Sequence, residues 1–332
     1  MKKIILCCIA ITLFSCSEKP KTEFSLTGTT NEIKNGTKLY FEFEESLIDS
    51  AEVVDNTFNF QTKLIKSPMQ VVLRTKDYSQ YRFIWLENNP MEFDAAETSF
   101  KKAKIAGSNT QKISHRLKQK LDSVPRSERS KYRIEFVRSN PKSNYSAYLI
   151  SFYSTTWGKN TTKELYDLLS DENKKSEYGK DILKYIKFNK NPKVGDKYVD
   201  FEMKDTNGKT RKLSDVKDKL VLLEFWSSSC GPCLAENPNL IKVYEKYKSK
   251  GFEIFAVSKD LKKDYWVQAI KEGKLPWIQV SDLKRNDLAS TIYGINGIPD
   301  NFLINEDGII IGRRLKGKKL EEKLEKLLVQ NQ

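Results

Sequence analysis

The chain has 332 residues, 39% of them hydrophobic and 31% charged, and its 58 Lys and Arg against 44 Asp and Glu give a formal net charge of +14. That length suits about two domains, and beyond the first few residues no stretch approaches the ~20 apolar residues of a membrane-spanning helix, so the body is expected to be soluble. The lysines are scattered rather than gathered with aromatic residues into a stripe, which argues against a nucleic-acid module.

Residues 1–15 carry Lys2 and Lys3, an apolar run from Ile4 to Phe14, and then Ser15. Charge, length and the small terminal residue read as a signal peptide, since so short a run cannot cross a bilayer. Leu13-Phe14-Ser15-Cys16 also resembles a bacterial lipoprotein box. This implies that Cys16 becomes the lipid-bearing first residue, with 16–22 as an anchored linker. Cys7 and Cys8 would leave with the leader, so Cys230 and Cys233 remain as the free thiols. The expected location is therefore the cell envelope, facing the periplasm.

From 23 to 107 short apolar alternations are divided by turn signals at Asn35-Gly36, Asp55-Asn56 and Asn88-Asn89-Pro90. The spacing predicts an antiparallel all-β sandwich or barrel. The order Ser25-Leu26-Thr27-Gly28-Thr29, Leu39-Tyr40-Phe41, Ile48-Asp49-Ser50, Phe58-Asn59-Phe60 and Ala106-Gly107-Ser108-Asn109 resembles the N-terminal domain of unknown function carried by many Bacteroidetes thioredoxin-like lipoproteins. It offers no acid pair, histidine cluster or phosphate loop, and reads as a spacer or docking module. Between 108 and 190 the spacing turns helical, as at Ile113, Leu117 and Leu121, with Pro125 and Asn140-Pro141 as breaks between three or four helices. His115 is the lone histidine and has no ligand partners nearby, so it reads as a solvated helix residue.

From 191 to 332 the pattern is α/β. Lys219 to Trp226 reads as a buried central strand, a helix runs on from Cys233, and Phe252 to Val257 is the next strand. Tyr265 to Ile270 is helical, Trp277 to Val280 a short segment, Asn301 to Ile304 and Ile309 to Ile311 a hairpin, and Leu320 to Val329 a final helix. Cys230-Gly231-Pro232-Cys233 thus lies at a strand-to-helix junction, where free N–H groups and the helix dipole favour a thiolate. Exchange needs an exposed attacking thiolate, assigned to Cys230, and a second thiol, Cys233, that resolves the mixed disulfide. Pro232 is tolerated in a first helical turn, Gly231 leaves room for a partner's backbone, and Pro238 is expected to kink the helix.

Phe225-Trp226, the Cys-Gly-Pro-Cys run, Glu236, Pro238 and Gly297-Ile298-Pro299 together resemble the TlpA/ResA-like thiol-disulfide oxidoreductases. The resemblance implies a thioredoxin-like fold with an added N-terminal hairpin. It makes Cys230–Cys233 the redox-active disulfide with no other cofactor and no metal, and Trp226 a supporting motif residue. In the thioredoxin family a buried acid moves the proton of the second cysteine, a role that falls here on Glu224. Ile298-Pro299 resembles the cis-proline loop that pairs with an extended partner segment, so Ile298, Pro299 and Asp300 are assigned to substrate binding.

Two residues depart from the family pattern. Ser229 stands where a bulky aromatic is usual, and Asp300 where a small hydroxyl residue is usual. A carboxylate near Cys230 would disfavour its thiolate.

The expected function is a membrane-tethered thiol-disulfide oxidoreductase that reduces protein disulfides, with cytochrome c maturation or redox defence as the processes it would serve, recharged by an upstream membrane thiol reductant. A binding lipoprotein, for a partner or for Cu(I), is the alternative from another class. A peroxiredoxin is disfavoured, because Leu223 and Ser227 replace the proline and threonine that should precede a peroxidatic cysteine.

Overall fold

The computed structural model describes residues 23–216 and 218–329; the expected leader, Cys16 and the linker to residue 22 lie outside them. The chain divides into two compact units, one running through Phe43 and then Leu47–Lys112, the other Glu44–Ser46 and the chain from Ile113 on.

The first unit holds β1 (Ser25–Thr30), β2 (Lys38–Phe43), β3 (Ser46–Glu52), β4 (Thr57–Phe60), β5 (Met69–Thr75), β6 (Tyr81–Leu86), β7 (Pro90–Ala95) and β8 (Lys104–Ala106). They form two four-stranded sheets, ordered β4-β1-β7-β8 and β3-β2-β5-β6. Successive side chains alternate between faces, so Met69, Val71 and Leu73 of β5 and Met91, Phe93 and Ala95 of β7 turn inward together. These rows meet in one core with Leu26, Phe41, Phe58 and Phe60, where each fully buried large side chain contributes about 1.5–3 kcal/mol. Gly28 is required there, because a Cβ would lie 2.0 Å from the Phe58 ring. Most pairings are antiparallel as expected. β1 and β7 instead run parallel, which the long passage through the other sheet between β4 and β7 allows.

Five helices come next in the chain: α1 (Asn109–Asp122), α2 (Arg129–Ser139), α3 (Asn144–Leu168), α4 (Asp171–Lys175) and α5 (Glu177–Phe188). Ser170 and Ser176 cap α4 and α5 by accepting the N–H groups of Asn173 and Gly179. α3 breaks at Gly158, whose φ of 79° suits glycine. Leu117, Leu121, Val137, Ile150, Leu165 and Ile182 build the helical core, and His115 is exposed, as expected. Within the second unit, two side-chain bonds tie α5 and its end to the C-terminal α/β region: Lys184 Nζ donates to the Asn286 carbonyl (2.6 Å) and Asn189 Nδ2 to that of Thr291 (2.8 Å).

That α/β region contains β9 (Glu202–Asp205), β10 (Thr210–Lys212), β11 (Leu220–Trp226), α6 (Gly231–Tyr247), β12 (Phe252–Ser258), α7 (Lys263–Gly273), β13 (Ile278–Ser281), α8 (Leu288–Tyr293), β14 (Asp300–Ile304), β15 (Ile310–Arg313) and α9 (Gly317–Leu328). The strands make one seven-stranded sheet, β10-β9-β13-β12-β11-β14-β15, with β11 flanked on both sides. All seven residues of β11 are buried, as a near-continuous apolar run predicts. Val221, Leu223 and Phe225 pack on the α8 face with Tyr293 and Phe302. Leu220, Leu222 and Trp226 pack on the other face with Cys233, Leu240 and Leu324. The expected elements are present, together with α8, a short helix that the apolar spacing does not announce; Asp287 caps it by accepting the Ser290 N–H at 2.7 Å.

Candidate active site

β11 ends at Trp226, and Ser227–Ser229 lead into α6, for which Cys230 is the N-cap. Cys230 Sγ accepts the Cys233 N–H at 3.2 Å, and the two sulfurs form a disulfide. Cys230 keeps 8% of its surface accessible and Cys233 none. The more reachable sulfur therefore belongs to the residue at the helix end, where the dipole and free N–H groups stabilise a thiolate once the bond is reduced. Pro232 lies in the first turn of α6, and the helix runs through Pro238 to Tyr247. Apart from its chain neighbours and its own helix backbone, nothing comes within 4 Å of where a Cβ on Gly231 would stand, so the space on that side is open. Ser229 is exposed, with its hydroxyl 3.3 Å from that of Ser227.

Glu224 alternates with Leu222 and Trp226, so its carboxyl points to the α6 face, into the core that holds both cysteines. It is 3% exposed. Burial, reinforced by the negative charge of Glu236, pushes its pKa up to about 8. Glu236 is fixed one turn beyond Cys233 by the Gly317 N–H (2.7 Å) and by Asn239 Nδ2 (2.8 Å). The carboxyl is thus held protonated well above the usual carboxylate range, on the sheet face that also carries the cysteines.

The Ile298–Pro299 peptide is cis, and Ile298 packs against the cores on both sheet faces. Asp300 lies elsewhere than a substrate-facing role requires. It is 1% exposed and shares the α8 face with Phe302, across the sheet from the sulfurs. Arg313 Nη2 holds it at 2.9 Å and Arg314 Nε at 3.5 Å. The expected repulsion of the Cys230 thiolate is corrected accordingly: the charge is neutralised by arginines on the far side of the sheet.

Several contributions were not foreseen. Trp226 Nε1 donates to Gln279 Oε1 at 3.0 Å, tying the motif tryptophan to β13. The Ser228 N–H and hydroxyl both bond the buried carboxylate of Asp260, just past the end of β12. Glu236 appeared in the sequence only as a motif residue, whereas its charge bears on Glu224. The carboxyl ends of parallel strands are where α/β folds place functional groups, and that rule would have pointed to Asp260. Among the described residues no group of three or more His, Cys, Asp or Glu converges on a metal position.

A profile of the AhpC/TSA family matches residues 194–313, and one of a domain of unknown function, DUF4369, matches 24–113. The thiol-disulfide oxidoreductase ResA of Bacillus thuringiensis subsp. konkukian is 36% identical over 135 residues, which cover 41% of this chain and 76% of that protein. The chain belongs to the ResA-type thiol-disulfide oxidoreductases. ResA of Bacillus subtilis is 37% identical over 111 residues, covering 33% of this chain and 61% of its own. The thioredoxin domain of a thiol-disulfide oxidoreductase from Bacteroides vulgatus is 34% identical and superposes with a TM-score of 0.39, covering 41% of this chain and 99% of that domain. Leu223 and Ser227 stand where a peroxiredoxin carries the proline and threonine that precede its peroxidatic cysteine, so the AhpC/TSA match does not by itself point to a peroxidase.

Proposed function

We propose that this oxidoreductase is tethered to the cell envelope through Cys16, faces the periplasm, and reduces disulfides in partner proteins. The observation that carries the chemistry is a disulfide in which Cys230 keeps some accessible surface and Cys233 none, on the same sheet face as a buried carboxyl whose pKa is raised to about 8. In the reduced protein the Cys230 thiolate attacks one sulfur of the partner's disulfide. A Cys230–partner bond forms, the partner's S–S bond breaks, and the departing thiolate takes up a proton. The Cys233 thiol then passes its proton to the Glu224 carboxylate, and its sulfur attacks Cys230 Sγ. This expels the partner's second thiolate and closes Cys230–Cys233. Two electrons have moved to the partner, and Glu224 holds a proton, in keeping with its raised pKa beside the closed disulfide.

The cis Ile298–Pro299 edge and the space beside Gly231 suit an extended partner segment. The reducing direction is supported by Gly-Pro between the cysteines, which resembles reducing thioredoxins, and it requires a membrane dithiol to recharge the pair. The redox disulfide is the only cofactor this cycle needs. Full-length protein should reduce insulin with dithiothreitol as electron source, and Cys230→Ser should lose that activity. Turnover that survives Cys230→Ser would refute the mechanism. Metabolic labelling with a radioactive fatty acid should mark wild type and not Cys16→Ser; an unlabelled wild type would refute the anchor.

A further inference from the structure

We propose that Asp260 is a positioning residue for disulfide exchange, acting through Ser228 to hold the wall of the cleft beside Cys230. The inference rests on the reading that the substrate is a protein disulfide. Asp260 is 5% exposed, and it has no ion pair among the described residues. Its charge is compensated by hydrogen bonds alone, which a buried carboxylate needs in number. Ser258 Oγ donates to one oxygen at 2.6 Å and accepts the Asp260 N–H at 3.0 Å, so the carboxylate is locked to the end of β12. The remaining acceptor capacity goes to Ser228, whose N–H lies 3.1 Å from both oxygens and whose hydroxyl bonds Oδ1. The Lys259 N–H adds a bond to the Trp226 carbonyl at 2.8 Å. Strand end and loop are thereby joined on both sides of Ser227, whose carbonyl accepts the Cys230 N–H at 3.2 Å.

Ser228 also lines a cleft of about 550 Å³ between α6 and α7, with Leu234, Pro238, Ile241 and Tyr265. Leu234 and Tyr265 are about half exposed there. Cys230 itself does not line this cleft, so a small disulfide that reacts with it need not occupy the cleft. A protein disulfide must seat the chain that flanks its cysteine against the surface around Cys230. Releasing Ser228 therefore penalises large substrates and spares small ones, which loss of thiol reactivity would not do.

The test uses full-length protein with dithiothreitol as electron source, insulin as the protein disulfide and hydroxyethyl disulfide as the small one. Asp260→Ala should raise KM for insulin roughly ten-fold, the scale of a misplaced site wall, and leave kcat/KM for hydroxyethyl disulfide within about two-fold. Asp260→Asn, which keeps an acceptor for the Ser228 N–H, should recover most of the loss. Equal slowing of both substrates, a lowered Tm with an unchanged ratio of KM values, or an Asn variant no better than Ala would overturn the proposal. If Asp260→Ala does not fold, Ser228→Ala loses only the hydroxyl bond and should show the same bias toward small substrates in weaker form; its absence would also overturn the proposal. A wild-type protein that reduces hydroxyethyl disulfide and not insulin would refute the protein-disulfide reading itself, and this inference with it.

Discussion

Glu224→Gln replaces a buried ionisable carboxyl with a neutral group of nearly the same shape, so its effect on stability should depend on pH in a calculable way. The carboxyl's ordinary pKa is 4.5, and burial with the Glu236 charge raises it to about 8 in the fold. Between those values the folded protein keeps a proton that the unfolded chain has lost. Stability is therefore full at low pH and falls as pH rises from the unfolded value through the folded one. The whole loss is about 5 kcal/mol, and from about pH 5 to about pH 9 it amounts to roughly 4 kcal/mol. Other titrating groups are common to both proteins and cancel in the difference. Urea unfolding of the oxidised full-length protein and of Glu224→Gln across this range should show the variant gaining on wild type by several kcal/mol as pH rises. Parallel pH dependences would refute the placement of an ionisable Glu224 in this core. In the reduced protein the same substitution should slow closure of the mixed disulfide across the range where thiols titrate, because Cys233 loses its proton acceptor.

Arg313→Met leaves the buried Asp300 carboxylate with the exposed Arg314 as its remaining ion-pair partner, and a broken buried pair should cost about 3 kcal/mol in urea unfolding. The reaction of Cys230 with hydroxyethyl disulfide should be unchanged in that variant, since Asp300 sits across the sheet; an altered rate would contradict that position. Gly28→Ala forces a Cβ into the Phe58 ring and should destabilise the strand-rich unit by about 1–3 kcal/mol. Calorimetry should place this loss in the N-terminal unit, and an unchanged thermogram would contradict the close packing there.

The thioredoxin-like part was legible because its signals are local. The apolar run from Lys219 to Trp226 reads as a strand buried on both faces, which it is from Leu220 on, and the cysteines three apart after it fall at the start of the helix that follows. Glu224 is marked in the sequence by its resemblance to the buried acid of the thioredoxin family, and the strand's alternation with Leu222 and Trp226 then sets its direction. What escaped notice depends on residues far apart in the chain. Asp260 meets Ser228 across 32 positions, and nothing near Asp260 announces that contact. From the sequence Asp300 reads as a substrate-binding carboxylate near Cys230, and only the hairpin that brings Arg313 alongside shows it to be buried and paired. α8 is too short to display a helical period, and its Asp287 cap is clear only once the helix is seen. In the strand-rich unit the alternations of β5 and β7 were readable, but the parallel partnership of β1 with β7 is a matter of chain path, which alternation does not encode.

The division of labour between the two sulfurs is tested most directly by trapping. Reduced full-length Cys233→Ser, mixed with insulin and analysed by intact and peptide mass spectrometry, should accumulate an adduct on Cys230. Cys230→Ser should form none over the same time, because Cys233 is fully enclosed. An adduct on Cys233 that forms as fast as the one on Cys230 would contradict the assignment of attacking and resolving thiols.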